Sequence, residues 1–415
     1  MSVKLTRRQA LAYSLGTAGW IAASGASSLL AVEKASIPMN RRDRSRRAPT
    51  APVSIQRCET YEPAMLRAKL DQAFKDIGGI RKLVANKTVT IKINVTGGPG
   101  KLADLPGYRT YQNHPHMLAA VCAAMHDAGA KRIVIVESQY SDKTPEEVLG
   151  GGGWDVNAIK AAGGHKVVFE DTRNKGAHKD YSTLKVPWGG LLYPAFMVNP
   201  SYVQTDVMVS LAKLKDHLCT GVTLSVKNLF GIAPTSLYGG DAPNEQSLNY
   251  RGAILHNGSR DVPAGVPGPL EKLPEKDWRR RVPRVTADIV GARPIDLAII
   301  EGIETNRGGE GPWCKGVDPL NPKLLIVGRN PVCTDAVATA VMGYDPLAGH
   351  GEFPFPGDNH LLLLHQMGVG QINPKRIEVR GLTIQQALFP FNARRVPLDV
   401  PTAWYSRPTG ESRLA

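Results

Sequence analysis

The chain contains no C-x-x-C pair. Its five cysteines, Cys58, Cys122, Cys219, Cys314 and Cys333, lie far apart, which excludes zinc ribbons and ferredoxin-type iron–sulfur clusters and gives no disulfide framework. Cys122 and Cys333 fall in apolar periodic runs and read as small core residues. The glycine loop "TGGPGK", 96–101, follows a strand-like run but lacks the G-x-x-x-x-G-K-[ST] spacing of a P-loop. A recognition helix, a zinc finger and basic–aromatic interleaving are also missing, so no specific nucleic-acid partner is expected. No long repeat is present.

Charge is present, but unevenly. Of a formal +14 over 415 residues, residues 1–47 carry +7, from nine Lys or Arg against Glu33 and Asp43. The remaining body is only mildly basic, which suits anionic small molecules. The head places Arg7-Arg8 before a weakly apolar run rich in Ala, Gly and Ser. That layout resembles a twin-arginine export signal, although Ala10-Leu11 stands where Phe-Leu is favoured. Such signals serve proteins that fold before export. The expectation is therefore a leader over 1–35, a basic disordered linker over 36–52, and a periplasmic or other extracytoplasmic location. The export machinery is the implied partner, and no transmembrane span is expected after leader removal.

The body, 53–405, reads as a single α/β domain, followed by a tail at 406–415. Strands are expected at Val89–Val95, Ile133–Glu137, Val207–Leu211, Leu297–Ile300 and Leu324–Val327, separated by helical periods near Pro63–Ile77 and from Pro115 to Gly129. Strand, helix and strand in alternation predict a largely parallel central sheet with helices on both faces. Periodicity disappears over 235–284 in favour of Gly, Pro and charge, which reads as a long loop-rich insertion.

One stretch concentrates polar chemistry beside a buried strand: "DVMVSLAKLKDHLCTGVTLSVKNLFGIAP", 206–234. Lys213, Lys215 and His217 alternate, so an extended chain would place them on one wall. Lys227 and Asn228 follow. Buried lysines are costly unless they meet something anionic. Lys92 and Asn94, at the end of their own strand, would complete the surface, and Arg251 and His256 are the most chemical residues of the insertion. Glu301 and Glu304 end another strand, where ligands of parallel sheets collect, and Asp335 opens a helix. Those three would bind a divalent cation such as magnesium or calcium, or balance the lysines. Asp335 can equally complement its helix dipole. His114 and His116 stand at a helix start. The plain alternative throughout is a solvated loop, or a buried Lys–Glu network that fixes loop geometry.

The pieces "IKIN", "AGAKRIVIVES", "LAKLKDH…TLSVKNLFGIAP", "PIDLAIIEGI…GEGP" and "DAVATAVMGYDP" resemble the bacterial and archaeal family of domain of unknown function 362. The resemblance spans about Lys87 to Gly381. Many of its members carry a ferredoxin-like double cluster, whose cysteines this chain lacks, so an iron–sulfur cofactor is not expected. The resemblance leaves the reaction open. One expectation is an exported enzyme acting on a carboxylate, phosphate or sulfate. His217 would be the general acid or base, with Lys215 and Lys227 beside it in the catalytic group; Lys213, Lys215 and Lys227 would hold the anion, and Lys92, Asn94, Asn228, Arg251 and His256 would complete the ligand site. The other is a non-catalytic accessory protein that binds a ligand, cofactor or metal.

Overall fold

The computed structural model describes residues 41–138 and 141–391; the leader, residues 36–40 of the linker and the tail lie outside them. Eight strands form the central sheet: β1 Val53–Arg57, β2 Thr88–Lys92, β3 Arg132–Glu137, β4 Val167–Asp171, β5 Val207–Lys213, β6 Leu297–Gly302, β7 Leu324–Gly328 and β8 Val379–Gly381. Their order is β8-β1-β7-β6-β5-β2-β3-β4. Every neighbouring pair is parallel except the two made by β7, which runs against both β1 and β6. All five strands expected from the sequence share this sheet. The edge pair β1 and β8 extends it beyond the βα rhythm.

Pleating distributes the apolar residues between two layers. On β5, Val207, Val209 and Leu211 join the layer containing helices α1, Pro63–Asp76, and α2, Pro115–Asp127. Met208 and Ala212 join the opposite layer, with α4, Trp278–Ala292, and α5, Pro331–Val341. Cys122 and Cys333 are buried, one in each layer. Helices thus cover both faces, which explains why the central strands are nearly continuous apolar runs. Among the described residues no helix is long and apolar enough to cross a membrane.

Two expectations change. The sequence predicts a loop-rich insertion up to residue 284, where Pro283 and four arginines break the apolar pattern, yet α4 runs through them from Trp278. A proline removes one helical donor. The Arg279 carbonyl, which Pro283 leaves without that donor, accepts instead from the backbone N–H of Asp358 at 2.9 Å. That approach demands glycine next door, since a Cβ on Gly357 would sit on the Arg279 carbonyl. Arg284 meets Asp358 and Glu271, each at 3.1 Å. The second change concerns residues 41–52, expected to be disordered. Arg44 N–H donates to the Gln366 carbonyl at 2.7 Å, and Arg41 Nε donates to the Gly190 carbonyl at 2.9 Å. This part of the linker lies against the body because backbone carbonyls accept its donors.

Candidate functional site

Strands β2, β3, β5 and β6 end along one edge of the sheet at Lys92, Glu137, Lys213 and the Glu301–Gly302 pair. The pleat sends their charges to different sides. Lys92 is in register with Ser210, three residues before Lys213, so the two lysines point to opposite faces. Lys213 faces α1 and α2, where its Nζ lies 2.7 Å from Oε1 of Glu301. Glu301 is saturated: it also accepts from Tyr61 Oη at 2.5 Å, from Asn113 Nδ2 at 3.0 Å and from the His114 backbone N–H. Tyr61 stacks on His114 with centroids 3.7 Å apart. Burial and the nearby Lys213 push His114 down to about 2, so its ring is neutral.

On the other face Lys92 Nζ meets Glu137 Oε2 at 2.8 Å and the Ile93 carbonyl at 2.7 Å. Gly231 leaves room for it, because a Cβ there would lie 2.9 Å from Nζ. A chain of amides links the two charged pairs. Asn113 donates to Glu301 and accepts from Asn94 N–H at 2.6 Å; Asn94 Nδ2 donates to Asn228 Oδ1 at 3.0 Å; Asn228 Nδ2 reaches the Lys92 carbonyl at 3.2 Å. Lys92, Asn94, Lys213, Asn228 and Glu301 therefore form one buried network along the strand ends.

The expected common wall of Lys213, Lys215 and His217 is not formed. Strand β5 ends at Lys213, and Asp216–His217 pairs instead with Gly221–Val222 in a separate ribbon. Lys215 leaves the sheet and donates to the carbonyls of Tyr111 at 2.6 Å and Glu310 at 2.9 Å. It lies in a second group with Lys227, His217, His256, Arg251, Glu310 and His360. Lys227 sits on the short helix α3, Leu224–Asn228, with Nζ 4.1 Å from the centroid of Phe230. Burial brings Lys215 down to about 7 and Lys227 to about 8. Burial, aided by Lys227, His256 and Lys215, holds His217 well below its ordinary value. Its Nδ1 accepts from Cys219 N–H at 3.1 Å, so the neutral ring carries its proton on Nε2.

Arg251 and His256 belong to this group through the π-helical turn Gly252–Asn257. Arg251 donates to the carbonyls of Ala233 and Gly231, and its own carbonyl meets His256 Nδ1 at 3.0 Å. Burial and Lys227 lower His256 to about 4.

The three expected metal ligands are dispersed. Glu301 is held by Lys213. Glu304 forms a bidentate pair with Arg109 at the rim, at 2.7 and 2.9 Å. Asp335 accepts from the backbone N–H groups of Ser225 and Val226 beneath α3. No group of three or more His, Cys, Asp or Glu arranged to hold a metal occurs among the described residues. The strand-end rule brought Glu301 into view but was not applied to Glu137, which obeys it equally. Glu310 and His360 were also missed. His360, at the start of helix α6, His360–Gln366, is fully buried, and neither ring nitrogen has a partner among the described residues. Burial and Lys227 lower it to about 3. Nothing in its local sequence, a histidine ahead of four leucines, marks it.

Residues 89–340 match the family described as Domain of unknown function (DUF362). The chain belongs to that family. The matched span includes every candidate from Lys92 to Asp335 and stops short of His360. The thylakoid-associated protein sll1697 of Synechocystis sp. is 25% identical over 302 residues, covering 71% of this chain and 75% of that protein. A solved protein of Thermotoga maritima is 12% identical, covers 62% of this chain and 53% of its own, and has a TM-score of 0.32, too low to carry an argument. The chain thus spans about half the length of that solved protein.

Proposed function

We propose that this DUF362 member is an enzyme acting on an anionic small molecule, a carboxylate, phosphate or sulfate, at the group around Lys215, Lys227 and His217. One observation carries the reading: Lys215, Lys227 and Arg251 are buried together beside the acid Glu310, and among the described residues neither lysine Nζ is bonded to a carboxylate. An anion would supply the missing negative charge, with Lys215 and Arg251 as its field. His217 would donate from Nε2 toward charge that develops on the substrate. The Lys92–Glu137 and Lys213–Glu301 pairs would then be the scaffold, since their charges are already matched.

The enclosure of the group, with Lys215 fully buried and Lys227 only 7% exposed, favours a second reading in which a ligand is retained without turnover. Location follows the leader. Export by the twin-arginine route, to the periplasm or another extracytoplasmic side, would agree with the thylakoid association named for the Synechocystis relative. The test is a thermal-shift series with oxalate, phosphate and sulfate on the wild type and on Lys215→Gln. A shift lost in the variant supports the site, and turnover of a shifted compound separates the enzyme from the binder. No shift with any anion would end both.

A further inference from the structure

Among the described residues four lysines are buried, Lys92 and Lys213 at strand ends, Lys215 just beyond one and Lys227 on α3, and three of them are committed. Lys92 and Lys213 each hold a carboxylate, at 2.8 and 2.7 Å, and Lys215 holds two carbonyls. Lys227 differs. Among the described residues its Nζ makes no hydrogen bond or ion pair, and it lies over the ring of Phe230, 4.1 Å from the centroid. The groups that act on it are Cys219 and Glu310 from the ribbon and the loop after β6, Arg251 from the insertion, and Lys92 from β2. Lys227 in turn acts on His217, His256 and His360, all neutral, and on Lys215.

A desolvated amine among other cations, with its nitrogen not tied to an acceptor, is how proteins make a lysine nucleophilic. The same cations favour a carboxylate on the molecule it attacks. We propose that Lys227 is a nucleophilic amine that forms an imine with the carbonyl carbon of a 2-oxo carboxylic acid, whose carboxylate lies in the field of Lys215 and Arg251. This rests on the anion-site reading above and narrows its substrate class. The neutral Nζ adds its lone pair to the carbonyl carbon as the C=O π pair moves to oxygen. The two amine protons are transferred to that oxygen, which departs as water as the C=N bond forms. No oxidant or reductant is needed.

The alternative is that Lys227 is a structural cation resting on Phe230. Reductive trapping distinguishes the two. The full-length protein is incubated at pH 7.5 with glyoxylate or pyruvate and sodium cyanoborohydride, and the adducts are mapped by peptide mass spectrometry. The expected result is modification of Lys227 at least about tenfold above the exposed Lys375, reflecting its larger share of free amine. Lys227→Arg should lose that adduct while leaving Lys375 labelling unchanged. Because site mapping is done on the wild type, a misfolded variant does not decide the matter. Labelling of Lys227 no greater than that of Lys375 overturns the proposal. Oxalate, which bears carboxylates but no ketone, keeps the two readings apart. An oxalate thermal shift without trapping removes the imine and spares the anion site, whereas no shift and no trapping removes both.

Discussion

Asp335 accepts hydrogen bonds from the backbone N–H groups of Ser225 at 3.0 Å and Val226 at 2.8 Å, so a carboxylate on α5 fixes the first turn of α3. It also takes the Ser225 hydroxyl at 2.5 Å. The chain enters α3 through Leu224 at φ +46°, a left-handed conformation that a leucine holds only when its surroundings dictate it. Asp335 is thus a positioning residue for Lys227 and Asn228. Asp335→Ala leaves two buried amides unpaired and should lower stability by about 3 kcal/mol in urea titration, in line with the penalty for unsatisfied buried groups. It should also weaken anion binding without removing any group from the site. Unchanged stability would mean that the turn is held by other contacts.

Lys213 and Glu301, both fully buried at 2.7 Å, yield a second prediction. Removing one member strands a buried charge, so Glu301→Leu or Lys213→Met alone should cost about 3–5 kcal/mol. The double variant should recover much of that, because both charges leave together. A cation site on Glu301 predicts otherwise: magnesium or calcium would raise the melting temperature of the wild type and not of Glu301→Gln. The saturation of Glu301 by Tyr61, Asn113, His114 and Lys213 leads us to expect no such metal effect.

How much of this could be read from sequence depended on whether the signal was local. The five expected strands are apolar runs bounded by turns, and each lies in the sheet. The β1 strand, "VSIQR", shows no apolar run, because Ser54 and Gln56 alternate with its apolar residues; they face α1 and are buried by donating to Asp76 at 2.7 Å each. Helix α4 was hidden by Pro283, whose compensation comes from Asp358, far along the chain. At the site, residue types identified the lysines, but alternation could not foretell that β5 stops at Lys213. From there Lys215 turns to a loop carbonyl of Glu310, ninety-five residues away. Long-range pairing of that kind has no local signature.

Export supplies a third prediction. Arg7→Lys combined with Arg8→Lys should leave the protein in the host cytoplasm, tracked by fractionation. Continued export of the double variant would remove the twin-arginine reading and favour a route for unfolded chains. The folded body should be unaffected, since residues 1–35 are expected to form only the leader, and the melting temperature of the purified variants checks that.

The last prediction is a pH dependence whose sign is fixed by the two lysines of the proposed site. Lys215 and Lys227 are lowered from 10.5 to about 7 and about 8, chiefly by burial. Below pH 7 both are protonated in the folded and in the unfolded chain, and the folded state bears the full penalty of burying them. As pH rises from about 7 toward 10.5 the folded protein has released these protons while the unfolded chain retains them. The contribution of the pair to stability therefore increases with pH over that window. An anion reverses this preference, because it stabilises the protonated lysines. Oxalate affinity should be highest below pH 7 and fall above it, by roughly tenfold per pH unit for each proton that binding must recover. Isothermal titration from pH 6 to 9.5 measures the slope. In Lys215→Met the slope should decrease, since one of the two titrating groups is gone. An affinity that stays flat or rises with pH in the wild type would show that neither lysine meets the anion.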